Sequence, residues 1–149
     1  MKHPISVYTG QPIISGLAIH QDVIDFHEKY KINYEGPIRN LESKTGAFRA
    51  ARLMEEANEI SDAQAVGDIE GQLDGIIDLI YIALGTAHLM GFSPEAMQEA
   101  WRRVHAANMA KELCSPTNPG KYGALGDKQD IVKPKGWQPP VLTDLCKNS

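Results

Sequence analysis

One stretch constrains this chain more than any other. From Leu73 to Met90 it is apolar almost all round, with Leu73, Ile76, Ile77, Leu79, Ile80, Ile82, Leu84 and Leu89. A helix apolar on every side belongs in a core. Yet Asp74 and Asp78 lie one turn apart inside it, and Glu70 extends their stripe by a turn. Tyr81 and Gly85 continue the stripe, and Gly71 and Gly75 flank it. A carboxylate in such a setting is costly unless it is paired or bound to metal. Two readings follow: ion pairs to Arg49 and Arg52 or to Arg102 and Arg103, or a cation site. The glycines add weight to the second, since they let another helix or a ligand come close to the backbone.

The segment before it, Gly46 to about Gln64, is rich in strong helix formers. At about 100° per residue, Glu55, Glu56 and Glu59 fall in one arc, with Leu53, Met54, Ala57 and Ile60 on the opposite side. Such an arc is commonly a solvated face. Glu55 and Glu59 repel by a few tenths of a kcal/mol, and a cation would turn that cost into binding. Gly67-Asp68 breaks and restarts the chain, with Asp68 as N-cap. Two acidic helices joined by so short a turn would pack antiparallel and let their carboxylates converge. An all-oxygen ligand set suits Mg²⁺ or Mn²⁺ rather than Zn²⁺.

The remaining pattern is helical too. The 149 residues suit one domain, and 42% hydrophobic content carried mainly by Ala, Ile and Leu, with 7% aromatics, favours an all-α fold. The expectation is a four- to five-helix bundle. Leu17–Tyr30 reads as a first helix and Lys31–Thr45 as a loop long enough to serve a site. The third helix runs from Ile69 to Met90. Gly91 stops it, and Ser93-Pro94 starts a fourth that continues to about Leu113. Residues 1–15 read as an irregular arm. Residues 115–149 form a C-terminal tail, rich in Pro and Gly up to Pro140, which Leu125, Val132 and Trp137 would pin to the body. Asn108 and Lys111 share a helix face, and Lys128 and Lys133 lie in the tail. These suit phosphate contacts, or lysines complementing a helix dipole.

Several classes are disfavoured. A net charge of -4 argues against binding a nucleic-acid polymer. Cys114 and Cys146 read as free thiols. The first ten residues lack an apolar run of signal-peptide length, and no stretch reads as a membrane span. The expected location is cytoplasmic. His20, His27, His88 and His105 show no metal spacing and read as packing or surface residues. A di-iron carboxylate bundle would need Glu-x-x-His pairs, which are absent from the sequence.

Four motifs in order carry a resemblance: Glu55-Glu56-Ala57-Asn58-Glu59, Asp78-Leu79-Ile80-Tyr81, Val104 to Lys111, and Lys133-Pro134-Lys135-Gly136-Trp137. Together they resemble the MazG-like all-α NTP pyrophosphohydrolase superfamily, which includes helical dUTPases and phosphoribosyl-ATP pyrophosphohydrolases. The resemblance implies that Glu55, Glu56, Glu59 and Asp78 ligate Mg²⁺, with Glu56 or Glu55 orienting the attacking water. The pattern departs at Gly75, where the family has Glu, and Asp74 is the candidate substitute. Asn108, Lys111, Lys128 and Lys133 are implied phosphate or nucleotide contacts, with Tyr81 lining the pocket. The implied reaction is hydrolysis of a (deoxy)nucleoside triphosphate to monophosphate and pyrophosphate by a homodimer or dimer-of-dimers tetramer. The base leans to dGTP, with a dUTP-directed member as the alternative. The alternative of another class is a non-catalytic helical assembly module whose acids form salt bridges between subunits.

Overall fold

The computed structural model describes residues 16–119 and 130–148. The expected arm at residues 1–15, Leu125 and Lys128 lie outside them. Four α-helices dominate: α1 (Gly16–Lys29), α2 (Ser43–Val66), α3 (Ile69–Leu89) and α4 (Pro94–Met109). Among the described residues the chain is mostly α-helical, with a two-stranded antiparallel ladder, β1 (Glu112–Leu113) with β2 (Ile131–Val132), and a 3₁₀ turn at Thr143–Cys146. It divides into two compact units. One runs to Glu95 and includes Asn148, and the other spans Ala96–Lys147.

In the first unit, α2 and α3 form an antiparallel hairpin whose turn follows from its residues. Gly67 takes the left-handed conformation at φ 73° and its N–H bonds back to the end of α2. The Asp68 side chain then accepts the Gly71 N–H at 3.0 Å and caps α3. The two helices meet closely at Gly75, where an added Cβ would lie 2.8 Å from Ile60 Cγ1 and 3.5 Å from the Glu56 carbonyl oxygen. A second close approach is Gly85, where a Cβ would meet Arg49 Nη2 at 2.8 Å and His27 Nε2 at 2.9 Å. The absence of side chains at these two positions lets α2 and α1 reach the α3 backbone.

The buried side chains between α1 and α3 are unusual in kind. Val23 and Ala87 are joined by His20, His27 and His88, with His27 and His88 rings 5.2 Å apart. Both nitrogens of His20 and Nδ1 of His27 lack a hydrogen-bond partner. Phe26 meets Tyr81 edge-on at 5.5 Å and stacks beside Tyr30 at 4.7 Å. The loop after α1 is fastened to the end of α3. Arg39 donates from its backbone N–H to Met90 O at 3.0 Å and from Nε to Leu89 O at 3.2 Å. These bonds satisfy carbonyls that the helix end leaves open.

The chain by itself buries only one side of α3. Its buried residues are Gly75, Gly85, Ala87 and His88, whereas Leu73, Ile76, Ile77 and Ile80 are exposed. The reason is coverage: α2 and α1 shield one side of α3, and among the described residues this unit has no further helix to cover the rest. The fourth helix also stops at Met109, short of Leu113, because Glu112 and Leu113 pair with Val132 and Ile131 instead.

In the second unit, Trp137 fastens the tail to α4. Its Nε1–H donates to Ala107 O at 2.8 Å, and Val132 is buried. Arg103 pairs with Glu99 at 2.7 Å and Asp144 at 2.6 Å, so the 3₁₀ turn is held by charge. Among the described residues no single helix is long and apolar enough to cross a membrane. Cys114 and Cys146 are not joined in a disulfide.

Candidate functional site

The acidic residues of the hairpin are not equivalent. Glu56 is 3% exposed and is the one buried residue of α2, while Glu55 and Glu59 are exposed. The helical wheel places Glu56 on a polar arc opposite Met54 and Ala57, yet those two are exposed. The cause is Gly75, whose missing side chain draws α3 onto the Glu56 turn. Arg52, one turn earlier, donates from Nη2 to Glu56 Oε1 at 2.9 Å and from Nη1 to Glu55 Oε2. Burial, then the neighbouring Glu59, Asp78 and Glu55 carboxylates, push the Glu56 carboxyl above its usual range against the pull of Arg52.

Glu56 and Asp78 line one cavity of about 430 Å³. Phe26, His27 and Ile32 come from α1 and the residues after it; Phe48, Arg49 and Arg52 come from α2; Tyr81 and Ile82 come from α3. One part of the wall is apolar and aromatic and the other carries two carboxylates, Glu56 and Asp78, and two guanidiniums, Arg49 and Arg52. Arg49 is already committed, donating to Thr86 Oγ1 at 2.9 Å and Ile82 O at 2.6 Å. His27 is 2% exposed, and burial, then His88 and Arg49, lower it to about 4. The cavity therefore presents a neutral imidazole at neutral pH.

The structure thus brings together Glu56, Asp78 and Tyr81, with Glu55 and Glu59 on the same helix as Glu56. Asp74 lies elsewhere, lining a separate depression with Asp68, Glu70, Leu73 and Ile77. The ion pairs considered for Asp74 and Asp78 do not form among the described residues: Arg49 binds Thr86 and Ile82, Arg52 binds Glu55 and Glu56, and Arg102 and Arg103 bind Glu99. Asn108, Lys111 and Lys133 belong to the second unit. There Lys111 Nζ and Lys133 Nζ stand 5.7 and 4.6 Å from the centre of the Trp137 ring, and Asn108 is exposed. Lys128 lies outside the described residues. Residues that sequence reading did not assign to the site are Phe26, His27, Ile32, Phe48, Arg49, Arg52 and Ile82. Nothing in their spacing marks them, because they come from α1, the loop after it, α2 and α3 and meet only in the fold.

Among the described residues no three His, Cys, Asp or Glu side chains already stand close enough to share a metal ion. The donor chemistry nonetheless suits an oxygen-seeking divalent cation. Of the two guanidiniums that line the cavity, Arg49 is bonded to Thr86 and Ile82 and only Arg52 meets the acids, and the charge on Glu56 is disfavoured by three acidic neighbours.

A search among curated proteins finds no match. A family model does match: that of phosphoribosyl-ATP pyrophosphohydrolase, over residues 25–108. The matched span starts within α1 and ends in α4, so it contains the whole acidic hairpin and leaves Lys111 and Lys133 beyond it. It covers just over half of the 149 residues. The chain belongs to the phosphoribosyl-ATP pyrophosphohydrolase family and is a nucleotide pyrophosphohydrolase.

Proposed function

We propose that this enzyme is a Mg²⁺-dependent (deoxy)nucleoside triphosphate diphosphohydrolase, converting dNTP and water to dNMP and pyrophosphate in control of the nucleotide pool. The observation that carries the reading is the two-part cavity. Phe26, Phe48, Tyr81 and Ile82 offer an apolar wall to a base, beside carboxylates on Glu56 and Asp78. Its volume of about 430 Å³ lies within the ordinary range of small-ligand sites.

Glu55, Glu56, Glu59 and Asp78 are the residues that would hold the cation. Mg²⁺, or Mn²⁺ in its place, would offset phosphate charge and make an adjacent water more acidic. Glu56 is the proposed general base, with Glu55 assisting. Water attacks the α-phosphorus, its proton passes to Glu56, the bond from that phosphorus to the bridging oxygen breaks, and pyrophosphate leaves. Asp74, in its separate depression, is proposed to contribute least. Asn108, Lys111, Lys128 and Lys133 are proposed phosphate contacts. The exposed apolar face of α3 supports a second copy of the chain as its cover, giving a homodimer or a dimer of dimers.

The family name favours a second substrate, phosphoribosyl-ATP, which carries the same type of linkage. The test is a panel of dNTPs with dGTP and dUTP foremost, NTPs and phosphoribosyl-ATP, each with Mg²⁺ and with Mn²⁺, read by product identity. Turnover of a dNTP to its monophosphate supports the proposal. Turnover of phosphoribosyl-ATP alone replaces it with the second reading. Orthophosphate as the product rules out attack at the α-phosphorus.

A further inference from the structure

The cations that line the cavity differ in what they hold. Arg49 is bonded to a hydroxyl and a backbone carbonyl, so its role is to join α2 to α3. Arg52 holds only acids, Glu55 and Glu56, and these are two of the oxygen donors assigned above to a divalent cation. A guanidinium and a metal ion cannot occupy the same carboxylate lone pairs. Arg52 side-chain exposure is 39%, so one part of it faces water and it can turn away without opening the helix hairpin. It also lines the cavity. Once turned, it would remain beside the bound substrate, with a planar fork suited to two phosphate oxygens.

We infer that Arg52 is a placeholder that becomes a substrate contact: it neutralises Glu55 and Glu56 while no divalent cation is present, and on cation binding it transfers its guanidinium to the polyphosphate. This rests on the reading of Glu55 and Glu56 as metal ligands. Its consequence is ordered assembly. A cation that takes the Arg52-bonded oxygens, Glu55 Oε2 and Glu56 Oε1, displaces Arg52, and the displaced side chain raises affinity for the polyphosphate, so the two ligands favour each other. The geometry also explains how a buried Glu56 is tolerated before the cation arrives, since a buried carboxylate without a partner is strongly unfavourable.

The test titrates Mn²⁺ into the full chain without nucleotide, then inorganic triphosphate at saturating Mn²⁺, for the parent, Arg52→Gln and Arg52→Lys. Circular dichroism checks that each is folded. Arg52→Gln removes the competing charge, so Mn²⁺ should bind about tenfold more tightly, and triphosphate about tenfold more weakly, the scale of one charge-assisted hydrogen bond. Arg52→Lys keeps the charge and loses the fork, and should fall between. Equal or weaker Mn²⁺ binding by Arg52→Gln, while the parent binds Mn²⁺, overturns the inference and leaves the metal site standing. Tighter Mn²⁺ with unchanged triphosphate affinity also overturns it, because the side chain then only blocks. Absence of Mn²⁺ binding by all three proteins overturns the metal site itself and this inference with it.

Discussion

At the scale of single residues, Glu56 and His27 make the sharpest commitments. Glu56→Gln should fold and melt at or above the parent temperature in the absence of metal, since the change removes a buried charge crowded by Glu59, Asp78 and Glu55. Its turnover should fall by at least about a hundredfold. A calorimetric melt and a steady-state assay check both halves. His27 commits to a pH dependence. It stays neutral in the fold down to about 4, against 6.5 when free, so between these values the unfolded chain binds the extra proton and stability falls as pH falls. The loss from this group is about 3 kcal/mol, complete below pH 4 and absent above 6.5. His20 and His88 are lowered too, chiefly by burial, and act in the same direction. Urea unfolding at pH 7 and pH 5 should show a smaller loss in His27→Gln than in the parent, and equal losses would contradict this role. Glu56 was visible in the sequence as one of three acids on an arc, but its burial was not. A wheel shows which residues share a face, not which face a neighbouring helix will cover.

At the scale of elements, the hairpin of α2 and α3 was legible because local chemistry encodes it. Gly67 supplies a left-handed end and Asp68 a cap, and neither depends on anything distant. The β1–β2 pair was not legible, since Glu112 and Leu113 acquire their strand only by meeting Ile131 and Val132. The all-round apolar pattern of α3 was equally silent on which side packs. Gly75 ties these points together. It stands where the motif resemblance leads one to expect Glu, and it is where α2 sits against α3. Gly75→Glu is therefore expected to destabilise the fold by at least about 2 kcal/mol, from overpacking against Ile60 and a charge placed between helices. It is not expected to add activity. A denaturant midpoint measured beside turnover decides the matter. A variant that is as stable and more active would mean that the helices have room and that a ligand had been restored.

At the scale of the whole molecule, Leu73, Ile76, Ile77 and Ile80 leave an apolar stripe of α3 open to water, which monomers rarely sustain. A second copy covering it would bury on the order of 1,200–2,000 Å² in total. Sedimentation velocity should find the parent as a dimer or tetramer at micromolar concentration, and the double variant Leu73→Glu, Ile77→Glu as a monomer. A monomeric parent would remove self-association from the proposal. The most direct test of the catalytic cavity is pyrophosphate release from the preferred nucleotide with Mg²⁺, measured for the parent, Asp78→Asn and Asp74→Asn at matched folded concentration. The cavity requires that Asp78→Asn lose nearly all release, while Asp74→Asn, in its separate depression, keeps most of it. An active Asp78→Asn beside an inactive Asp74→Asn would place the chemistry on the other depression and contradict the site described.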